Sequence, residues 1–600
     1  MTPPPNARGS RALTSALSQP ERGVPARFLA RLPAPRRAGA GGLIALLVLI
    51  ALGSALALAL PRWWSAHQPE LVAWTGETEA IQQVGGLVLP LFQRRPVTAD
   101  LAALPHTDRP PFGVNVFFEQ EVEPERLVRS LEMLRAIGVT MVRQQIPWSD
   151  IEIPAKGRYV NDYGQHTWEK YDRLIDLTQQ YGLTLVARLD FPPDWTRQDN
   201  RNTFAPPDRL EDYGDFVAAF AERYRGRVKY LQIWNEPNIY PEWGEGKVDP
   251  AGYAQMLRVA ATRARAVNPD VVIVAAALAP TLGTPDGRNL SDVEFLQGMY
   301  DAGAAPYFDI LATQAYGLWT GPGDRRLAAD RTNFSRPQII REIMVRNGDA
   351  AKPVWATEMG WNALPDDFPK SATHGRVTRD QQAEYLAQGF ERSLNEWPWL
   401  GAIFYWHFRM VHAENRDQVH YYFGLADSDF NTYPAYDAYR SVATAPPVMR
   451  YGRHQSSDWT IAYSGVWEDV AEPRAELGRY QRSADPAAGL TFTFRGTGLD
   501  LIAPTGPDWA PLTVTIDGRP VGGGPISLAE PAGWQTPLPL ARHLADGDHR
   551  VEVRPAGPGA IGVDAFIVYR SPEVAWLPLL GAVFAVAAGV TLVWTLWRQR

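Results

Sequence analysis

Two short runs, Trp234-Asn235-Glu236-Pro237-Asn238 and Thr357-Glu358-Met359-Gly360-Trp361, hold the residues best suited to chemistry. Each sets a carboxyl group directly after an apolar run, where a buried strand would end. Asn235 before Glu236 and Pro237 after it specify a shaped turn. Gly360 and Trp361 beside Glu358 suit close backbone packing and a wall for a ligand. Two such groups facing one substrate, about 5–5.5 Å apart, can divide the work. One attacks as nucleophile; the other, held protonated, gives up a proton and then activates water. Arg143, Tyr316 and Trp406 also fall where apolar runs end. His407, His412 and His420 show no HExxH pattern and no tight spacing, so no metal is expected there. The chain has no cysteine, which removes thiolate metal sites, iron–sulfur clusters, disulfides and cysteine nucleophiles. No cofactor is expected.

The elements that must position these residues can be read from periodicity. Apolar, extended runs occur at Phe112–Phe118, Val139–Ile146, Thr184–Leu189, Val228–Trp234, Val271–Ala276, Phe308–Thr313, Pro353–Thr357 and Ala402–Trp406. Amphipathic segments lie between them, among them Glu125–Ile137, Trp168–Tyr181, Leu210–Tyr224, Ala251–Val267, Arg336–Val345 and Gln381–Leu394. Eight strand–helix units over residues 111–445 predict an α/β fold, a (β/α)8 TIM barrel. No glycine-rich phosphate fingerprint follows the first strand, which argues against a dinucleotide fold. Chemistry in such a barrel belongs at the carboxyl ends of its strands. The two glutamates then stand on strands four and seven, across one mouth.

With those motifs in place, the chain resembles the clan A retaining glycoside hydrolases, (β/α)8 enzymes with glutamates on strands four and seven. It looks closest to the family 39 group of xylosidases, iduronidases and bacterial exopolysaccharide-processing hydrolases, with family 5 next. The resemblance covers residues 111–445 and implies Glu236 as acid/base and Glu358 as nucleophile. It implies further that Asn235 bonds a sugar 2-hydroxyl, that Arg143 and Tyr316 orient the nucleophile, and that Trp406 floors the central sugar subsite. At strand three, where many clan members have His or Asn, this chain reads Arg188-Leu189-Asp190. Trp148, Trp195, Tyr240, Trp243, Trp319 and Trp361 fall in predicted loops, and at least three are expected to line a carbohydrate cleft. Trp148 and Trp361 are counted with the substrate-binding residues.

Composition bounds the rest. Of the 600 residues, 45% are apolar and 21% charged, and the net charge of −7 argues against a nucleic-acid binder. Residues 1–40 hold seven arginines and one glutamate and read as a basic cytoplasmic tail without order. Leu43–Leu60 and Val574–Trp597 carry no charge and are long enough to span a bilayer. Two transmembrane helices, at 41–62 and 573–597, are expected, with both termini cytoplasmic and the barrel outside a cell membrane. A cleaved signal peptide is the other reading of the first segment. Residues 63–110 read as a linker or collar. Residues 446–572 read as an all-β jelly-roll sandwich similar to galactose-binding-like modules, a spacer or a sugar binder, with hairpin signals at Asp517-Gly518 and Asp546-Gly547. Two functional classes follow: a membrane-anchored glycosidase acting on an extracytoplasmic poly- or oligosaccharide, or a non-catalytic carbohydrate-binding scaffold of the cell envelope.

Overall fold

The computed structural model describes residues 96–199, 202–529 and 532–570. Eight parallel strands close a barrel in sequence order. They are β1 (Phe112–Val116), β2 (Met141–Pro147), β3 (Thr184–Asp190), β4 (Tyr230–Ile233), β5 (Val272–Leu278), β6 (Ile310–Tyr316), β7 (Val354–Gly360) and β8 (Leu400–Tyr405). A helix follows each: α1 (Pro124–Ala136), α2 (Trp168–Gln180), α3 (Leu210–Arg223), α4 (Pro250–Val267), α5 (Asp292–Asp301), α6 (Pro337–Arg346), α7 (Arg379–Glu396) and α8 (Pro434–Ala443). The eight predicted strands are all present, with ends shifted by a few residues.

Local chemistry sets the helix boundaries. Pro124 occupies the first turn of α1, and Leu127, Leu131 and Leu134 form its buried stripe. Asp249 caps α4 by accepting from the Ala251 backbone N–H. Thr378 and Gln381 cap α7 reciprocally. Inside the barrel, Met141, Val186, Tyr230, Val274, Ile310, Trp355 and Phe404 form a filled core. There is no room for a side chain at Gly113, where a Cβ would stand 2.3 Å from the Phe404 ring. The described part of the predicted collar, residues 96–110, packs on the barrel: the Arg341 Nε donates to the Thr98 carbonyl (2.9 Å), and the His106 ring meets Tyr230 edge-on. Residues 63–95 of that collar lie outside the described residues.

Beyond the barrel the described residues are mostly β. One sheet has the order β10 (Ala462–Ser464), β13 (Gly489–Gly496), β18 (Gly547–Pro555), β15 (Leu512–Ile516), β16 (Arg519–Pro520). A second has the order β17 (Gly533–Ala541), β14 (Gly498–Thr505), β20 (Ala565–Tyr569), β9 (Gly452–Gln455). Phe492, Val514 and Val553 of the first share a core with Leu501, Phe566 and Val568 of the second. A smaller sheet of β11 (Glu468–Ala471), β12 (Arg479–Ser483) and β19 (Ile561–Val563) lies in the same region. The predicted Asp517-Gly518 hairpin turn is present, with both residues at positive φ.

The expectation of flanking membrane helices, and with it a two-span location in a cell membrane, is corrected here. Among the described residues no helix is long and apolar enough to cross a membrane. The longest, α4 and α7, are amphipathic: Arg258, Arg263 and Arg265 on α4, and the acids and arginines of α7, would have to be desolvated in a bilayer. The segments at 41–62 and 573–597, like the basic tail at 1–40, lie outside the described residues.

The Arg336 guanidinium, 1% exposed, pairs with Asp292 across α5 and α6 at 2.5 Å and also donates to the Ala329 and Arg331 carbonyls. Asp292→Ala strands that charge and is expected to cost about 3–5 kcal/mol. Chemical denaturation would measure it, and a loss under about 1 kcal/mol would contradict the reading.

Candidate functional site

Strand alternation brings polar side chains into the barrel one layer above its apolar filling. Arg143, two residues beyond Met141 on β2, is fully buried. Its Nε donates to Gln232 Oε1 (2.7 Å), and its Nη1 to Asn115 Oδ1 (2.7 Å) and Glu358 Oε1 (2.8 Å). Its Nη2 donates to Asn235 Oδ1 (2.9 Å). One guanidinium thus ties β1, β2, β4 and β7 together. Asn115 is fixed in turn by donating to the Thr357 carbonyl (2.9 Å). Burial pulls the Arg143 pKa below its ordinary value, against the opposing pull of Glu358.

Glu358 is 5% exposed. Besides Arg143 it accepts from Gln314 Nε2 (3.1 Å) and the Tyr316 hydroxyl (2.7 Å) on the neighbouring strand. A register shift between β6 and β7 sets Gln314 directly opposite Glu358. Burial, then the nearby Glu358, pushes the Tyr316 hydroxyl well above its ordinary pKa, so it stays a donor.

Glu236 stands in a turn of unusual backbone. Trp234 and Glu236 adopt positive φ, 71° and 38°, and the Glu236 N–H donates to the Ala277 carbonyl (3.1 Å). Asn238 locks the turn from beneath, donating to the carbonyls of Ala279 and Leu290 while accepting from the Ala279 N–H. The Asn-Glu-Pro-Asn motif therefore spends one amide on shape and one, Asn235, on Arg143. Burial, followed by the charge of Glu358, pushes the Glu236 carboxyl up to about 7. The two carboxyl groups thus have unlike environments: among the described residues one has no cationic partner at hydrogen-bond distance, and the other is held by a buried guanidinium.

The structure brings Glu236, Glu358, Asn235, Arg143 and Tyr316 into one cluster. Trp406 follows β8 half-buried, with its ring edge-on to Phe117 (5.6 Å). The loop aromatics divide differently. Trp148 and Trp361 are fully buried and offer no face to a ligand. Trp148 stacks on Phe216 (5.3 Å) and donates to Glu152 (2.6 Å), while Trp361 packs on Phe334 and donates to the Thr320 carbonyl (2.8 Å). Trp195 and Trp243 pack against the barrel core; Tyr240 (42% exposed) carries the Arg288 guanidinium over its ring, and Trp319 is 66% exposed. These long loops bury aromatic surface of their own, so loop position did not mean a cleft wall.

Sequence reasoning also missed partners. Asn115 and Gln232 are polar residues inside strands, a signal that was there to be read. Glu242 sits in the β4–α4 loop with no periodic signal; burial and Glu236 raise its carboxyl to about 8. Among the described residues no group of three His, Asp or Glu side chains is arranged to hold a metal ion. His407 and His374 are both lowered by burial to about 4. A cavity of about 300 Å3 lies away from this chemistry, between Trp397–Gly401 and residues 441–460.

No family model matches the chain. Among solved structures it is similar to a family 39 glycoside hydrolase from Bacteroides cellulosilyticus WH2 (20% identity, 75% of this chain and 82% of that one, TM-score 0.42). A family 39 β-xylosidase from Caulobacter crescentus matches at 15% identity over 77% of this chain and 97% of its own, with TM-score 0.40. A xylanase from Thermotoga maritima matches at 15% over 57% and 95%, with TM-score 0.39. Likeness at this level leaves any functional reading to the geometry of the barrel mouth.

The raised Glu236 carboxyl has a stability consequence. Its protonated form stabilises the folded chain below the ordinary carboxyl range, and that contribution is lost as pH rises towards 7. Glu236→Gln, which cannot ionise, should therefore gain on the native chain by about 3 kcal/mol between pH 4.5 and pH 7.5. Denaturation at both pH values measures this; a pH-independent difference would contradict it.

Proposed function

We propose that this chain is a glycoside hydrolase that cleaves an oligo- or polysaccharide by double displacement, with Glu236 as acid/base and Glu358 as nucleophile. The observation that carries this reading is the contrast between the two carboxyl groups at one barrel mouth. Opposed environments for paired carboxyls mark acid from nucleophile. Glu236 enters the cycle protonated and gives its proton to the glycosidic oxygen as the bond from that oxygen to the anomeric carbon breaks. The Glu358 carboxylate, aimed by Arg143, Gln314 and Tyr316, forms the new bond to that carbon. The Glu236 carboxylate then takes a proton from water. The resulting hydroxyl displaces Glu358 and restores both groups.

Supporting residues take roles from the same contacts. The Asn235 oxygen accepts from Arg143, and its amide hydrogens are donors that a substrate hydroxyl can accept. A hydrogen bond to the sugar 2-hydroxyl that tightens as charge develops lowers the barrier rather than the ground state. Trp406, half-buried where β8 ends, takes the role of aromatic floor for the sugar ring.

The test is incubation of the chain with a panel of polysaccharides and aryl glycosides. Glu236→Gln and Glu358→Gln should each lower kcat by at least about a thousandfold, and azide should restore turnover to Glu358→Gly. On the native chain kcat/KM should fall as pH rises through about 7, where Glu236 loses its proton. Cleavage that survives either substitution would overturn the assignment. Oligosaccharide binding without cleavage would make the barrel a carbohydrate-binding scaffold.

A further inference from the structure

On the β3 side of the mouth lies a cation that the proposed mechanism does not use. Arg188 follows Val186, a residue of the barrel interior, by two positions, so alternation turns its side chain into the mouth. It is 9% exposed. Its Nε pairs with Asp190 Oδ2 at 2.8 Å, and Gln145 Nε2 holds the other oxygen of that carboxyl at 2.9 Å. The guanidinium is thus braced from one side. Among the described residues no acceptor hydrogen-bonds its two Nη nitrogens, in contrast to Arg143, whose three nitrogens all donate. A braced guanidinium with an open fork is suited to a planar pair of oxygens, either adjacent hydroxyls or a carboxylate.

The surrounding charge separates those two. Asp190 pairs with Arg188 and Glu358 with Arg143, both at 2.8 Å, so each guanidinium already has its counter-charge. A substrate carboxylate would add a further negative charge to that set, whereas a pair of hydroxyls adds none. Resting on the glycosidase reading above, we propose that the Arg188 fork grips two adjacent hydroxyls of the sugar ring, and that the mouth selects uncharged rings over uronic acids.

Binding, not turnover, tests this, so the outcome is separable from the fate of the proposed reaction. The Glu236→Gln full chain is titrated by ligand-observed NMR with the methyl glycosides of glucose, galactose, mannose and xylose, and with methyl glucuronide. At least one neutral glycoside should bind more tightly than the glucuronide. Adding Arg188→Met should weaken it at least tenfold, and Arg188→Lys, which keeps the charge but loses the fork, should weaken it nearly as far. Asp190→Asn, which loosens the brace, should give a smaller loss, with the thermal midpoint checked for each variant. Tighter glucuronide binding, or neutral binding unchanged in both folded Arg188 variants, overturns the proposal and leaves the glycosidase reading intact. Binding as described by a chain that hydrolyses nothing overturns that reading alone. No binding by any of these sugars overturns the proposal.

Discussion

A fully buried guanidinium must have its donors satisfied, and this requirement at Arg143 organises the mouth of the barrel. Desolvating such a charge is expensive unless acceptors surround it. Here the acceptors come from Asn115, Gln232, Asn235 and Glu358, on or just beyond three other strands. Meeting that requirement fixes where β1, β4 and β7 end relative to β2. It also places Glu358 with its charge already compensated, so no solvent need reorganise around it during a reaction.

Glu236 is placed by the opposite means. Among the described residues no cation hydrogen-bonds it; backbone holds it, through two residues at positive φ and a cap of hydrogen bonds from Asn238. Left-handed backbone at non-glycine residues is costly and persists only where the surroundings over-determine it. The strained turn therefore keeps a carboxyl near its partner without giving it a counter-charge, which is what an acid that must carry a proton near neutrality needs.

The barrel was legible in the sequence because strands buried on both faces read as nearly unbroken apolar runs. Glu236 and Glu358 were legible because each interrupts the end of such a run. What could not be read was depth. Trp148 and Trp361 sit in loops of the kind that usually carry function, yet each seals apolar surface beneath its own loop. Periodicity has no way to mark that, because burial there depends on Phe216 and Phe334, which are distant in the chain. The place of Gln314 opposite Glu358 depends on a register shift that no spacing announces. Glu242, in an irregular loop, joins the site only through folding.

The account turns on Glu358 as the atom donor to the anomeric carbon, and trapping measures this most directly. A 2-deoxy-2-fluoro glycoside with a good leaving group slows both steps but leaves formation of the covalent intermediate the faster. The full chain, treated with such reagents for the common hexoses and pentoses, is weighed intact and then digested. The account predicts a single glycosyl adduct on the peptide that contains Glu358, absent from Glu358→Gln. An adduct on another side chain, or a first-formed product of inverted configuration from a natural substrate, would contradict it.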